Sequence, residues 1–157
     1  MPRYKLIIEY DGTPFHGWQR QANGRSVQEC LEHAVLGFCG ETVILNAAGR
    51  TDAGVHALGQ VVHVDLAQKY PTRTVQNALN FHLRPNPIAV IKAECVDRDF
   101  HARFTAIGRH YRYRILNRPA PPVVDFNRVW HVPVPLDGVA MHSAAQSLVG
   151  QHDFTTF

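Results

Sequence analysis

The chain has 157 residues, is 45% hydrophobic and 18% charged, and carries a formal net charge of +3; such a composition buries an ordinary core and excludes a disordered polymer. No apolar run approaches the ~20 residues that a membrane helix needs, and Met1 opens directly onto a strand-like segment, so neither a membrane span nor a signal peptide is expected. The cysteines Cys30, Cys39 and Cys95 form no C-x-x-C pair, which argues against a zinc knuckle or disulfide framework and fits a reducing, cytoplasmic compartment.

In chain order, residues 4–10 alternate and predict a strand. A polar, glycine-bounded loop follows, DGTPFHGWQRQANGR. Ser26-Val27-Gln28-Glu29 reads as a capping box, with Ser26 as cap and Glu29 reaching back. Val27, Cys30, Leu31, Ala34, Val35 and Phe38 recur at helical spacing, predicting a helix over 27–38 that Gly40 ends. Strands are predicted at 42–48 and 60–66. A second amphipathic helix is predicted over 72–83, carried by Val75, Ala78, Leu79 and Leu83 and stopped by Pro85 and Pro87. Residues 88–96 predict a fourth strand.

The predicted order is β-α-β-β-α-β, the ferredoxin-like α+β pattern, with two helices on one face of an antiparallel sheet and the other face free. Residues 1–100 are read as this domain. Beyond it, 109–116 (RHYRYRIL) predict a strand of alternating Arg and Tyr or Ile, and 128–134 a short one. Asp137 predicts the cap of a helix over 138–149, with Met141, Ala144, Ala145, Leu148 and Val149 inward and Gly150 at its end. Residues 101–157 are therefore read as the beginning of a second, similar α+β unit that stops before completion.

Charge is unevenly placed. Arginine outnumbers lysine 13 to 3, and Phe100 to Asn117 holds Arg103, Arg109, Arg112 and Arg114, two histidines and no acid. A cationic stretch with interleaved aromatics suits RNA. A GC-rich genome is the plainer account of the arginine excess.

The most informative string is Gly49-Arg50-Thr51-Asp52-Ala53-Gly54-Val55-His56-Ala57, between two predicted strands that would hold a loop at both ends. Gly49 and Gly54 permit unusual backbone angles and close approach by a ligand. A carboxylate near cations stays ionised and can act as nucleophile, general base or metal ligand. From the spacing alone, an Asp-Ala-Gly turn decorated by arginine accounts for the string equally well. Tyr111 and Tyr113 would share one side of their strand, where packing explains them as well as a ligand does. In the loop after the first strand, Trp18 reads as packing and Arg20 as a candidate RNA contact. Ten histidines invite a metal, with His56, His63, His101 and His110 the candidates, but no H-E-x-x-H occurs and no metal is expected.

GRTDAGVHA resembles the catalytic loop of the tRNA pseudouridine synthase A family. Further blocks of that family stand in the same order: EYDGTPFHGWQRQ at Glu9–Gln21, SVQE at Ser26–Glu29, FHARFTAIGRHYRYRI at Phe100–Ile115, and a G-x-x-DFT segment at Gly150–Thr155. The resemblance implies that Asp52 is the nucleophile, that Tyr111 stacks on the target uracil, and that Arg50 positions the loop and helps open the RNA stem. It implies isomerisation of uridine to pseudouridine at positions 38, 39 and 40 of the tRNA anticodon stem-loop, by a homodimer, without cofactor. It also implies a second half that supplies a basic partner for the aspartate; the chain is expected to lack it and to be weakly active or inactive alone.

The chemistry suits these residue types. The C1′–N1 bond must break, the base must turn, and C5 must bond to C1′. One carboxylate can serve by attack at C1′, by attack at C6 or by assisting proton loss at C1′. The stacked base must first be extruded, and water kept from the activated sugar. Two rivals stand beside the isomerase. A non-catalytic RNA-binding module explains the fold order and basic stretch but needs no GRTD loop. A nucleoside or glycoside hydrolase would want two carboxylates flanking the bond, and Asp52 has no acidic neighbour in sequence.

Overall fold

The computed structural model describes residues 1–155. The chain divides into two compact units, the first running from Met1 to His110 and the second starting at Tyr111.

In the first unit the elements are β1 (Arg3–Tyr10), α1 (Val27–Cys39), β2 (Asn46–Ala47), β3 (Ala57–Asp65), α2 (Thr72–Leu83) and β4 (Ile88–Val96). The sheet order is β2-β3-β1-β4, every neighbouring pair antiparallel. This arrangement is consistent with a ferredoxin-like unit. Period-two alternation sends Tyr4, Leu6, Ile8 and Tyr10 of β1 and Val62 and Val64 of β3 to one face, where all are buried. Against that face pack Val27, Cys30, Leu31, Ala34 and Val35 of α1 and Val75, Leu79 and Leu83 of α2.

The ends of α1 follow from local chemistry. Ser26 Oγ accepts the Glu29 N–H at 3.2 Å, relieving one orphan donor of the first turn. Gly40 closes the helix at φ 74°, its N–H donating to the Leu36 carbonyl.

Several expectations need correction. The strand predicted at 42–48 shortens to Asn46–Ala47. Leu45 meets side chains of α1 instead of a ladder: its N–H donates to Glu32 Oε1 and its carbonyl accepts from Gln28 Nε2. The sheet face away from the helices is not wholly free. The chain returns across it after β4, where Ala102 is buried, its N–H donating to His63 Nδ1 at 3.2 Å, and Arg3 Nη1 donates to the Arg98 and Phe100 carbonyls. The strand predicted at 109–116 survives only as β5 (Ile115–Asn117). Residues 109–114 have no ladder partner among the described residues, and alternation without a partner strand does not hold extended backbone in register.

In the second unit β5 pairs in parallel with β6 (Trp130–Val132). Asp137 Oδ1 accepts the Val139 and Ala140 N–H groups at 3.0 and 2.9 Å, capping α3 (Gly138–Ala145), which tightens into a 3-10 turn over Gln146–Leu148. The cap is where the sequence predicts it; the inward face is not. Met141, Ala144, Ala145, Leu148 and Val149 are all exposed, because one two-stranded ribbon of three-residue strands offers no layer for a helix to cover.

Candidate active site

The GRTDAGVHA string is the connection from β2 to β3, so a strand fixes each end. At its entry, Arg109 closes Nε and Nη2 on the Ala48 carbonyl at 2.9 and 2.7 Å, while Gln60 Nε2 donates to the Gly49 carbonyl at 2.6 Å. In its middle, the Thr51 carbonyl accepts the Trp18 N–H at 2.9 Å, and Thr51 Oγ1 shares a 2.8 Å hydrogen bond with Tyr10 Oη. The Gly54 N–H donates to the Phe15 carbonyl, and the Val55 N–H to that of Asp52. At its exit, His56 Nδ1 accepts the Gly12 N–H at 3.1 Å and lies 3.2 Å from Asp11 Oδ1.

The loop after β1 supplies most of this support because its backbone comes unusually near. A Cβ on Gly12 would stand 2.1 Å from the Val55 carbonyl oxygen; one on Gly17, whose φ is +95°, would stand 2.6 Å from that of Thr51. Only glycine fits such an approach. Trp18 is buried with its ring centroid 6.4 Å from that of Tyr10, anchoring the loop to β1.

What emerges is a shallow cleft of about 450 Å³, lined by His16, Gln19, Arg20, Gln21, Arg50, Thr51, Asp52 and Ala53. Three of the four site residues read from the sequence, Asp52, Arg50 and Arg20, thus meet in one place. Asp52 and Arg50 are both exposed, and neither side chain has a hydrogen bond or ion pair among the described residues. Arg20 is differently placed: its Nη1 lies 3.1 Å from Glu32 Oε2 of α1, and its N–H donates to Gln28 Oε1. Tyr111, the fourth, opens the second unit and is 66% exposed, outside any strand. Of the cationic stretch, Arg109 is committed to the Ala48 carbonyl and Arg114 to Asp125 at 3.2 Å.

A carboxylate without a side-chain partner among the described residues, on a loop tied at several points, in an open polar cleft that Arg50 and Arg20 also line, suits attack on an anionic polymer whose phosphates the arginines can engage. Residues 6–105 match the family model described as tRNA pseudouridine synthase. The chain belongs to the tRNA pseudouridine synthase family. It is 62% identical, over its whole length, to a tRNA pseudouridine synthase A of Paramagnetospirillum magneticum and to one of Methylorubrum populi. It is 59% identical, again over its whole length, to that of Parvibaculum lavamentivorans. The chain spans about three fifths of the length of these relatives, 61%, 62% and 64% respectively.

The residues that hold the loop, Tyr10, Asp11, Gly12 and Gly17, are not singled out by the sequence. Their signal was present in the two glycines of DGTPFHG, whose need for close backbone approach has no explanation inside their own loop. His56, weighed as a metal candidate, is turned to the Gly12 N–H and Asp11.

Proposed function

We propose that the protein isomerises uridine to pseudouridine at positions 38, 39 and 40 of the tRNA anticodon stem-loop, with Asp52 as nucleophile. The observation that carries this reading is the exposed Asp52 carboxylate, without a hydrogen bond or ion pair among the described residues, on a loop tied at Ala48, Gly49, Thr51, Gly54 and His56. A nucleophile held this way loses little freedom on meeting its target. Arg50 and Arg20, at the same cleft, engage the backbone of the RNA while the target base is turned out of its stack. Tyr111 receives the extruded uracil on its ring face.

The overall change is balanced within the substrate. The C1′–N1 bond breaks, C1′–C5 forms, the proton on C5 leaves, and N1 takes one up. Nothing is oxidised, reduced or hydrolysed, so a carboxylate and a base-binding face suffice and no cofactor is required. The enzyme works as a cytoplasmic homodimer, in line with the resemblance.

Tritium release from tRNA carrying uridine tritiated at C5 tests the reading. In a protein of the relatives' full length, the wild type releases tritium, and Asp52→Ala releases none above background while still binding tRNA. Release by Asp52→Ala at the wild-type rate would remove Asp52 from the chemistry. Binding without release by the wild type would make this an RNA-binding module. Free uracil as the product would make it a hydrolase.

A further inference from the structure

Glu32 is the one acidic side chain buried in α1, 8% exposed. A carboxylate out of water must be compensated. Its Oε1 accepts Gln28 Nε2 at 2.9 Å and the Leu45 N–H at 3.4 Å. Its Oε2 is fully buried and makes no aligned hydrogen bond among the described residues. The cation facing it is Arg20, Nη1 at 3.1 Å, whose own side chain is 61% exposed and lines the cleft that holds Asp52. Gln28, one turn before Glu32, accepts the Arg20 backbone N–H at 3.1 Å. Both ends of Arg20 are therefore held from two residues of α1 spaced i, i+4, while Glu32 and Gln28 are themselves joined.

We propose that Glu32 is a positioning residue for substrate binding: it fixes the Arg20 guanidinium at the rim of the Asp52 cleft so that its remaining N–H groups meet an RNA phosphate. A guanidinium has five N–H donors in a rigid plane. The ion pair through Nη1 restricts where the guanidinium can sit and leaves its other N–H groups free to meet a phosphate, a restriction that a freely rotating surface arginine lacks. The inference rests on the tRNA reading above. The competing account is that Arg20 serves only to neutralise Glu32 and never touches substrate.

The two accounts separate on salt dependence. Each phosphate contact contributes about one unit to the slope of log K against log salt. In the full-length protein, Arg20→Gln is expected to weaken tRNA binding roughly five- to tenfold and to reduce that slope by about one. Glu32→Gln and Glu32→Met, which retain the volume and remove the charge, are expected to do the same with the arginine still present, and to raise KM more than they lower kcat. Arg20→Gln/Glu32→Gln is expected to bind no worse than Arg20→Gln alone, because the two act as one unit. Two Glu32 variants are used because either could fail to fold; thermal melting identifies one that does. Unchanged affinity and slope in Arg20→Gln, or normal binding by a folded Glu32 variant, would overturn the proposal. Absence of tritium release in the wild type would instead strike the parent reading, since the binding measurements need no turnover.

Discussion

A methyl group on Gly12 would stand 2.1 Å from the Val55 carbonyl oxygen, 2.5 Å from its carbon and 2.9 Å from the Gly54 carbonyl carbon. All three are backbone atoms of the Asp52 loop, so no side-chain rotation relieves the clash. Gly54 presents the opposite case: its φ is +76°, yet a Cβ there meets nothing within 4 Å. Gly54→Ala is expected to cost about 1 kcal/mol of left-handed strain, with the loop left in place. Gly12→Ala is expected to cost about 1–3 kcal/mol and, by pushing the loop away, to lower tritium release at least tenfold. Urea midpoints and release rates on both variants check this; equal loss of activity in the two would mean that the close approach at Gly12 does not position Asp52. The comparison also marks what could be read of the site. Asp52, Arg50 and Arg20 stand in short, specific strings, and a string announces itself locally. The contacts of Tyr10 with Thr51 and of Gly12 with His56 join residues some forty positions apart, and nothing in either string states its partner.

Elements legible in the sequence are those whose causes are local. The span of α1 follows from a 3.6-residue apolar period between Ser26 and Gly40, and that of β4 from its apolar run after Pro87. Where a remote side chain takes over from a ladder, the pattern misleads, as at Leu45, and where no partner strand arrives, alternation at 109–114 leads nowhere. β4 contains a third such case. Its register with β1 slips between Ile7 and Ile8, which pair with Lys92 and Val90, leaving Ile91 as the extra residue of a bulge. The buried Val90 backbone at this kink is satisfied from α2: Asn80 Nδ2 donates to the Val90 carbonyl at 2.9 Å, and Asn80 Oδ1 accepts its N–H at 2.7 Å. Asn80 thus acts as a surrogate strand. Asn80→Ala removes a donor and an acceptor at once and is expected to cost about 1–3 kcal/mol. Asn80→Asp keeps the acceptor but sets a carboxylate oxygen against the Val90 carbonyl, so it is expected to be no more stable than Asn80→Ala. Equilibrium urea unfolding of the three proteins gives the order, and an Asn80→Ala as stable as wild type would show that the bulge does not depend on this amide.

Across the first unit as a whole, the chain that returns over the helix-free face encloses a titratable group. His63, on β3, is 3% exposed, with the His101 ring centroid 4.6 Å from its own and Phe100 edge-on at 6.2 Å. Burial first, then the Arg3 and His101 charges, push its pKa down to about 4, against a smaller upward pull from Asp65. Arg3 is itself paired with Asp65 at 2.7 Å, which holds the Asp65 carboxyl below its ordinary value. The neutral ring is what the fold accommodates, its Nδ1 accepting the Ala102 N–H. The sign follows from linkage. In the unfolded chain the imidazole takes a proton near pH 6.5, while in the folded unit it resists until about 4. Between those values the unfolded state binds more protons, so stability falls as the pH is lowered. The loss is on the order of 3 kcal/mol from this one residue. His63→Gln can keep an acceptor toward Ala102 but cannot be protonated. Its urea midpoint should therefore decline less steeply than the wild type's from pH 7 to pH 4.5, even if it starts lower. Parallel declines would show that His63 is not the group that charges; Asp65, whose carboxyl the Arg3 guanidinium holds below its ordinary value, gives up that pair only at a pH below this window.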